Sequence, residues 1–225
     1  MLTLMSAPAI AKIAAQIANP GRANMLIALL EGGEMTAGAL AEIARLSPQT
    51  ASGYLAAMVE QGLISVERRG RSAWHRLATP EVGRMIEAMM AIAPTRGVRP
   101  GLEAMRQART CYDHLAGRLG VAIADALTRQ GHIELGEDGG LVTASGARFL
   151  TEFGIDLRPT GRRAFCRPCL DWSERKPHLA GQVGAALAAR CLELGWVRRM
   201  AGTRALAVPP AGRAGFRRQF GLGEL

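Results

Sequence analysis

Long apolar runs, aromatic residues and cysteines are all scarce in this chain of 225 residues. No run approaches the roughly 20 apolar residues that a membrane-spanning helix needs, and the opening stretch "MLTLMSAPAI" lacks the basic start of a signal peptide. We therefore expect a cytoplasmic protein with no membrane contact. In that reducing setting its four cysteines are expected to be buried thiols, metal ligands or redox sensors rather than disulfides.

Arginine and small apolar residues are what the chain has in abundance. Aromatic residues make up 4% of it, whereas Ala, Leu and Gly are plentiful, and this mixture favours closely packed helices over a large sheet. The net charge is +9, and almost all of the positive charge is arginine, whose planar guanidinium suits phosphates and base edges. We expect a mainly α-helical fold with small β-hairpins (α+β) and a polyanionic partner.

The first 60 residues carry the apolar spacing of four helices. A stripe through Ile10, Ile13 and Ile17 ends at Asn19-Pro20, and "RANMLIALLEGG" forms the second helix. Thr36 can cap the third, "TAGALAEIA". The fourth opens at Ser47-Pro48, which supplies a capping oxygen and then a proline at the first helical position. Two short helices joined by a tight turn form a helix-turn-helix unit.

A basic hairpin follows the fourth helix. Gly62 ends that helix, "LISVE" and "AWHRLA" have the pattern of two strands, and three arginines, Arg68, Arg69 and Arg71, surround the turn between them. Such a hairpin after a recognition helix is a wing that can grip a nucleic-acid backbone. His75, on the second strand, is expected to face a phosphate or solvent.

The stretch "LSPQTASGYLAAMVEQGLISVERRGRSAWHRL" resembles the ArsR/SmtB family of winged helix-turn-helix regulators, and the resemblance covers roughly residues 10–92. It implies a homodimer in which the first and last helices of the domain pack across a two-fold axis. It also implies binding to double-stranded DNA at a palindromic operator. The DNA-contacting residues it implies are Ser47, Gln49, Thr50, Ser52 and Tyr54 on the recognition helix, and Arg68, Arg69 and Arg71 on the wing. Gly53 departs from the family, which often has a longer polar side chain there.

Signal-sensing residues of the family are missing from this domain. Some members bind metals or react through cysteines on the helix before the turn, and others use histidines on the last helix. Here "AGALAEIA" has no cysteine and "EVGRMIEAMMAIA" has no histidine. A sensing site, if the protein has one, is therefore expected in the second half of the chain.

The second half repeats itself. "PTRGVRP" predicts a break between domains 1–95 and 96–225, and "HLAG" occurs at His114 and again at His178. The order helix, hairpin, helix is predicted twice, over about 108–158 and 166–225, which indicates two copies of one module. The first helix of each copy is predicted to include its "HLAG". We expect its glycines, Gly117 with Gly120 and Gly181 with Gly184, to let another helix approach closely.

Chemically versatile residues cluster before each "LAG". They are Cys111, His114, Cys166, Cys169, Asp171 and His178. Cys111 and His114 would share one helical face, and Cys166-x-x-Cys169 has the spacing of half a metal site. Four interpretations remain open. The residues could bind a metal such as zinc, sense redox changes, or bind a small organic inducer between walls formed by Tyr112 and Trp172. They could also be buried thiols with histidines that form hydrogen bonds at helix starts. The stretches "CYDHLAG" and "CLDWSER" are shared with an extended branch of ArsR-type regulators, which assigns no effector.

These observations predict a transcriptional regulator that is not an enzyme. The expected mechanism is a dimeric repressor that is released from its operator when an effector acts on the C-terminal domain. One alternative is a thiol- or metal-dependent redox protein, built around Cys166 and Cys169, with an attached DNA-binding domain. A second alternative is a scaffold protein that binds DNA constitutively.

Overall fold

The computed structural model describes residues 7–93, 103–137, 139–159 and 163–223. These residues fall into two units, Met1–Ile86 and Glu87–Leu225, called here the N-terminal unit and the C-terminal unit. The predicted domain break at "PTRGVRP" lies outside the described residues, so the boundary at residue 95 stays a prediction. In the described ranges, no helix combines the length and apolar character needed to cross a membrane.

Four helices of the N-terminal unit lie where the sequence predicts them. They are α1 (Ala7–Ile17), α2 (Pro20–Gly32), α3 (Ala37–Ala44) and α4 (Pro48–Glu60). Side-chain oxygens of Asn19, Thr36 and Ser47 cap α2, α3 and α4 by accepting a backbone N–H of the first turn. The inner face of α4 carries Ala51, Leu55 and Met58, all buried. Helix α5 (Pro80–Ile92) begins in this unit and continues into the other.

A three-stranded antiparallel sheet completes the N-terminal unit. Strands β2 (Ile64–Arg69) and β3 (Ser72–Leu77) form the predicted wing, and β1 (Glu34–Thr36) pairs with the free edge of β3. The sequence did not predict β1, and the expectation that His75 faces a phosphate or solvent is wrong for the same reason. Because β1 places Met35 opposite His75, the imidazole is buried, and burial lowers its pKa.

The C-terminal unit alternates short hairpins with helices. After α6 (Glu103–Gln107), its elements are β4 (Arg109–Cys111), β5 (His114–Ala116), α7 (Gly117–Arg129), β6 (Ile133–Leu135), β7 (Gly140–Val142), α8 (Ala144–Glu152), β8 (Arg167–Leu170), β9 (Pro177–Ala180), α9 (Gly181–Glu193), β10 (Arg198–Arg199), β11 (Leu206–Ala207) and α10 (Pro210–Phe220). The described chain is thus mostly helical with small antiparallel hairpins, as predicted.

The two histidines of "HLAG" lie on strands, so the prediction that they lie on helices is wrong. Helices α7 and α9 begin only at Gly117 and Gly181, whose φ angles are +76° and +83°. Glycine adopts this left-handed conformation without the steric cost that a side chain would impose, and it lets the chain turn from strand to helix. Cys111 and His114 are consequently opposite each other across the β4–β5 hairpin rather than on one helical face.

Helices and hairpins of the C-terminal unit pack reciprocally. Strand β5 lies against α9, β9 lies against α7, and β5 contacts β9. Aromatic residues are concentrated beside this core, where they contact one another mainly edge-to-face or at a tilt: Phe149, Phe153, Trp196, Phe216 and Phe220. Half of the ten aromatic residues of the chain therefore contribute to the packing of α8 against α10.

Gly120 and Gly184 admit strands rather than a second helix, contrary to the expectation from their spacing. A Cβ atom at Gly120 would collide with the Leu115 carbonyl and lie 3.5 Å from the Cβ of His178. A Cβ atom at Gly184 would collide with the Leu179 carbonyl and lie 3.3 Å from the Cβ of His114. Each glycine thus makes room for the carbonyl group of the strand that precedes its own helix, and the histidine of the opposite hairpin packs beside it.

Substitution of Gly184 tests this packing. We expect Gly184→Ala to lower the free energy of unfolding by about 2 kcal/mol or more, because the new methyl group meets backbone atoms that cannot move away. The matched control is Gly38→Ala, on helix α3, where a Cβ meets nothing within 4 Å and better helix propensity raises stability by up to about 1 kcal/mol. Thermal unfolding measures both, and equal midpoints for the two variants would contradict the packing described.

Candidate functional site

The first turn of α4 presents an exposed polar surface. Ser47, Gln49, Thr50 and Ser52 are all exposed. The Ser47 hydroxyl accepts the Thr50 backbone N–H at 3.2 Å and lies 2.8 Å from the Thr50 hydroxyl, so these two side chains also cap the helix. Gln49 and Ser52 make no side-chain hydrogen bond within the described part of the chain and are available to a partner.

Tyr54 differs from the other residues of this surface. It is half-buried, and its hydroxyl accepts a hydrogen bond from the Asn19 amide at 3.2 Å. The Arg22 guanidinium lies 4.8 Å from the centre of its ring. Tyr54 therefore joins α4 to the start of α2, whether or not it also contacts a ligand.

Arginines of the wing fall into two groups. Arg69 binds both carboxylate oxygens of Glu34, at 2.7 and 3.0 Å, and both of Glu67, at 3.0 and 2.9 Å. Arg68 and Arg71 are exposed and have no ion pair within the described ranges. The positive charge of Arg69 is thus neutralised inside the unit, whereas those of Arg68 and Arg71 are free.

The C-terminal unit contains a group of four side chains, the Cys–His cluster, made of Cys111, His114, Cys169 and His178. Hairpin β4–β5 places Cys111 opposite His114, and hairpin β8–β9 places Cys169 opposite His178. The Nε2 atoms of the histidines are 3.1 Å apart, and the Sγ atoms of the cysteines are 4.0 Å apart. All four ligand atoms lie within 4.8 Å of one another.

Each histidine of the cluster has a carboxylate behind it. The Nδ1 atom of His114 lies 3.3 Å from Asp113 Oδ1, and the Nδ1 atom of His178 lies 3.3 Å from Asp171 Oδ2. Asp113 also pairs with Arg163. Both imidazoles are therefore oriented with Nδ1 towards an aspartate and Nε2 towards the centre of the cluster.

Asp171 is the most connected of these groups. Its side chain is fully buried, and Oδ2 accepts hydrogen bonds from Arg109 Nη2 at 2.9 Å and from the Gly117 amide at 2.7 Å. Oδ1 accepts the hydroxyl and the amide of Ser173. Although burial alone would raise the pKa of Asp171, His178, Arg109 and the Gly117 amide together hold it well below its ordinary value. The same carboxylate raises the pKa of His178 against the effect of burial.

Cys111 is connected to helix α5 through Glu87. Its Sγ donates to Glu87 Oε2 at 3.0 Å, and Arg204 Nη1 donates to Glu87 Oε1 at 3.1 Å. The neighbouring Cys169 thiol and burial raise the pKa of Cys111 to about 12. The contact with the Cys111 thiol lowers the pKa of Cys169, although burial opposes this.

Cys166 lies outside the cluster. It is buried in the hydrophobic core, facing Gly140, where a Cβ would be 2.7 Å from its Sγ, and burial raises its pKa to about 11. The structure therefore brings together Cys111, His114, Cys169 and His178, with Asp171 behind them, and separates Cys166 from the other candidates. Of the two suggested walls of an inducer pocket, Tyr112 is exposed and Trp172 stacks on Arg109 at 4.6 Å.

Arg109 and Glu87 were not among the predicted site residues. Arg109 is the first residue of β4 and belongs to no recognisable motif, and Glu87 lies 24 residues before its partner Cys111. The one available signal was the unusual Cys-x-Asp that both halves contain, which indicates that the aspartates have a shared role.

A helix-turn-helix with a polar recognition helix and a wing defines a DNA-binding transcriptional regulator. A sequence model of the MarR family matches residues 19–73. The helix-turn-helix-type transcriptional regulator YdfF of Bacillus subtilis is 41% identical over 222 residues, which cover 96% of this chain and 98% of YdfF. The chain therefore belongs to the family of helix-turn-helix-type transcriptional regulators that includes YdfF.

Two solved structures are similar to part of this chain. A homodimeric winged helix-turn-helix domain from Mycobacterium bovis, named as a possible ArsR-family regulator, is 25% identical, with a TM-score of 0.36 over 40% of this chain and 89% of that domain. NolR from Sinorhizobium fredii is 27% identical, with a TM-score of 0.37 over 43% of this chain and all of NolR.

The two aspartates provide a matched test of the site. We expect Asp171→Ala to lower the free energy of unfolding by about 3–5 kcal/mol, because it leaves the Arg109 guanidinium buried without its partner. Asp113→Ala removes a carboxylate that is 34% exposed and should cost less than about 1 kcal/mol. Chemical denaturation of the full chain, followed through tryptophan fluorescence, measures the difference. Similar losses for the two variants would contradict the role given to Asp171.

Proposed function

We propose that this regulator is a dimeric repressor that binds a palindromic operator and is released when an effector acts on its C-terminal unit. The observation that carries the DNA-binding part is the exposed first turn of α4, followed by a wing with two unpaired arginines. Gln49 and Ser52 can reach base edges in the major groove, while Ser47 and Thr50 offer hydroxyls to the phosphates beside it.

Within the wing, Arg68 and Arg71 rather than Arg69 are the residues proposed to contact phosphates. Arg69 would have to leave Glu34 and Glu67 to reach a phosphate, and this exchange recovers little because one set of charge-assisted hydrogen bonds replaces another. Arg68 and Arg71 lose only water when they bind.

The wing assignment predicts different salt dependences for three single variants. Arg68→Ala and Arg71→Ala should each weaken operator binding to all sequences and reduce the slope of log affinity against log salt by about 1. Arg69→Ala, the matched control, should leave that slope nearly unchanged. Fluorescence anisotropy on an operator duplex at several salt concentrations gives the slopes. A smaller salt slope in Arg69→Ala alone would contradict the assignment of phosphate contacts to Arg68 and Arg71.

Dimerisation is supported by apolar surface on the first and last helices of the DNA-binding domain. Ile10 of α1 is 60% exposed, and Met89 and Ile92 of α5 are 42% and 79% exposed. Exposed apolar side chains concentrated on two helices commonly mark an interface. Two copies joined there would present two recognition helices to successive major grooves, about 34 Å apart.

Replacement of Ile92 tests the interface. Ile92→Glu should raise the dimer dissociation constant at least about tenfold, because two buried isoleucines per dimer are each worth about 1.5 kcal/mol or more. Ile43→Glu, at a similarly apolar but 40% exposed position of α3, is the control and should remain dimeric. Sedimentation velocity over a range of concentrations measures both variants. A monomeric wild-type chain would contradict the proposed dimer.

The C-terminal unit is proposed to consist of two copies of one module. Each half runs hairpin, helix, hairpin, helix, and Cys111, Asp113, His114 and Gly117 have the same order as Cys169, Asp171, His178 and Gly181. Reciprocal packing of β5 on α9 and β9 on α7 supports this interpretation. Pairing of the copies gives one cluster with one cysteine and one histidine from each.

The Cys–His cluster is the proposed effector site. Cys111, His114 and His178 are buried, Cys169 is half-buried, and their ligand atoms lie within 4.8 Å of one another. Cys111 is also hydrogen-bonded to helix α5, which begins in the DNA-binding unit. Release from DNA requires only that the effector bind more tightly to the conformation that does not fit the operator.

A further inference from the structure

We propose that the Cys–His cluster binds one Zn²⁺-class divalent cation per chain, through Sγ of Cys111 and Cys169 and Nε2 of His114 and His178. The regulatory consequence of this binding rests on the proposed function. Binding of the metal itself depends only on the C-terminal unit.

The separations of the two nitrogens and of the two sulfurs are close to those of a tetrahedral site. Zinc lies about 2.0–2.1 Å from imidazole nitrogens and about 2.3 Å from thiolate sulfurs, so tetrahedral ligands are about 3.3 Å apart for two nitrogens and about 3.8 Å apart for two sulfurs. The corresponding separations here are 3.1 Å between the Nε2 atoms and 4.0 Å between the Sγ atoms. The separations between cysteine and histidine atoms reach 4.8 Å, whereas a tetrahedral site needs about 3.5 Å, so the side chains would close in by about 1 Å around a cation.

The aspartates favour the tautomer that a metal requires. A carboxylate beside Nδ1 holds the imidazole proton on that nitrogen and leaves the lone pair on Nε2. In that tautomer, with Asp113 behind His114 and Asp171 behind His178, both Nε2 lone pairs would point at each other across 3.1 Å in a buried site. Two acceptors cannot satisfy each other, whereas a cation between them satisfies both.

Charge and ligand type select the metal class. Two thiolates carry a charge of −2, which a divalent cation neutralises, and two neutral imidazoles complete its coordination. Two sulfur and two nitrogen ligands in tetrahedral arrangement suit Zn²⁺, whereas Mg²⁺ and Ca²⁺ require oxygen ligands. All four positions belong to the protein, as in closed zinc sites that stabilise a fold or report on metal supply.

Coordination changes the bond between the cluster and helix α5. As each Zn–S bond forms, its thiol releases one proton to solvent, and no electrons are transferred. Cys111 then has no proton to donate to Glu87 Oε2, and Glu87 keeps its hydrogen bond with Arg204. Metal binding would therefore alter the environment of α5, whose first residues belong to the DNA-binding unit.

Metal titration of the full-length protein, freed of metal by a chelator in the presence of reductant, tests the site. We expect one Zn²⁺ per chain and, by X-ray absorption at the zinc edge, two sulfurs at about 2.3 Å and two nitrogens at about 2.0–2.1 Å. Cys111→Ser should lower the affinity for Zn²⁺ by more than about 100-fold, and Asp113→Asn by about 10–100-fold without a change in the unfolding midpoint of the metal-free protein. Cys166→Ser is the matched control and should bind like the wild type.

Three results would overturn the proposal: no zinc bound by wild-type protein, a coordination shell made of oxygens, or an equal loss of affinity in Cys166→Ser. The absorption spectrum of the wild type decides the matter even if a variant does not fold. Operator affinity, measured on the same samples with and without Zn²⁺, tests the proposed function separately. Unchanged operator affinity beside a two-sulfur, two-nitrogen shell would contradict the regulatory role while supporting the metal site.

Discussion

Asp171 has a buried carboxylate that contacts a buried arginine, the start of a helix and a histidine of the Cys–His cluster. It neutralises Arg109, accepts the first amide of helix α7 and orients His178. A buried charge without partners would cost several kcal/mol, so these contacts are formed together or not at all. Because Arg109 and Gly117 belong to one half of the unit and Asp171 to the other, the same carboxylate connects the two hairpins.

The Cys–His cluster follows from this connection and from backbone geometry. Gly117 and Gly181 turn each strand into a helix three residues after the histidine, and Gly120 and Gly184 let each helix pack against the carbonyl of its own strand and beside the opposite histidine. Imidazoles that enter from both sides meet at Nε2. Each "HLAG" stretch thus positions one histidine, and the two stretches bring the two histidines against each other.

How far the sequence predicts this molecule depends on how local the determinants are. Helices α2 to α4 could be predicted because Asn19, Thr36 and Ser47 cap them through contacts within three residues. Strand β1 could not be, because three residues after Gly33 become a strand only by pairing with β3, some 40 residues later. The burial of His75 and the ion pair between Arg69 and Glu34 depend on that same pairing, so they escaped prediction as well.

In the C-terminal unit, residue types were predicted better than their geometry. The repeated Cys-x-Asp and "HLAG" stretches identified four of the converging side chains, but the helical interpretation of "YDHLAG" placed Cys111 and His114 on the wrong kind of element. The Cys166-x-x-Cys169 spacing pointed to a pair, yet only Cys169 joins the cluster. Partners that are distant in sequence, such as Glu87 for Cys111, have no local signal.

Four side chains from two hairpins are proposed to bind one metal ion. Crystals of the full chain grown with Zn²⁺, measured on both sides of the zinc absorption edge, test this most directly. We predict one anomalous peak per chain, equidistant within a few tenths of an ångström from the two Nε2 atoms and slightly farther from the two Sγ atoms. An empty cluster, or a peak bound elsewhere in the chain, would contradict it.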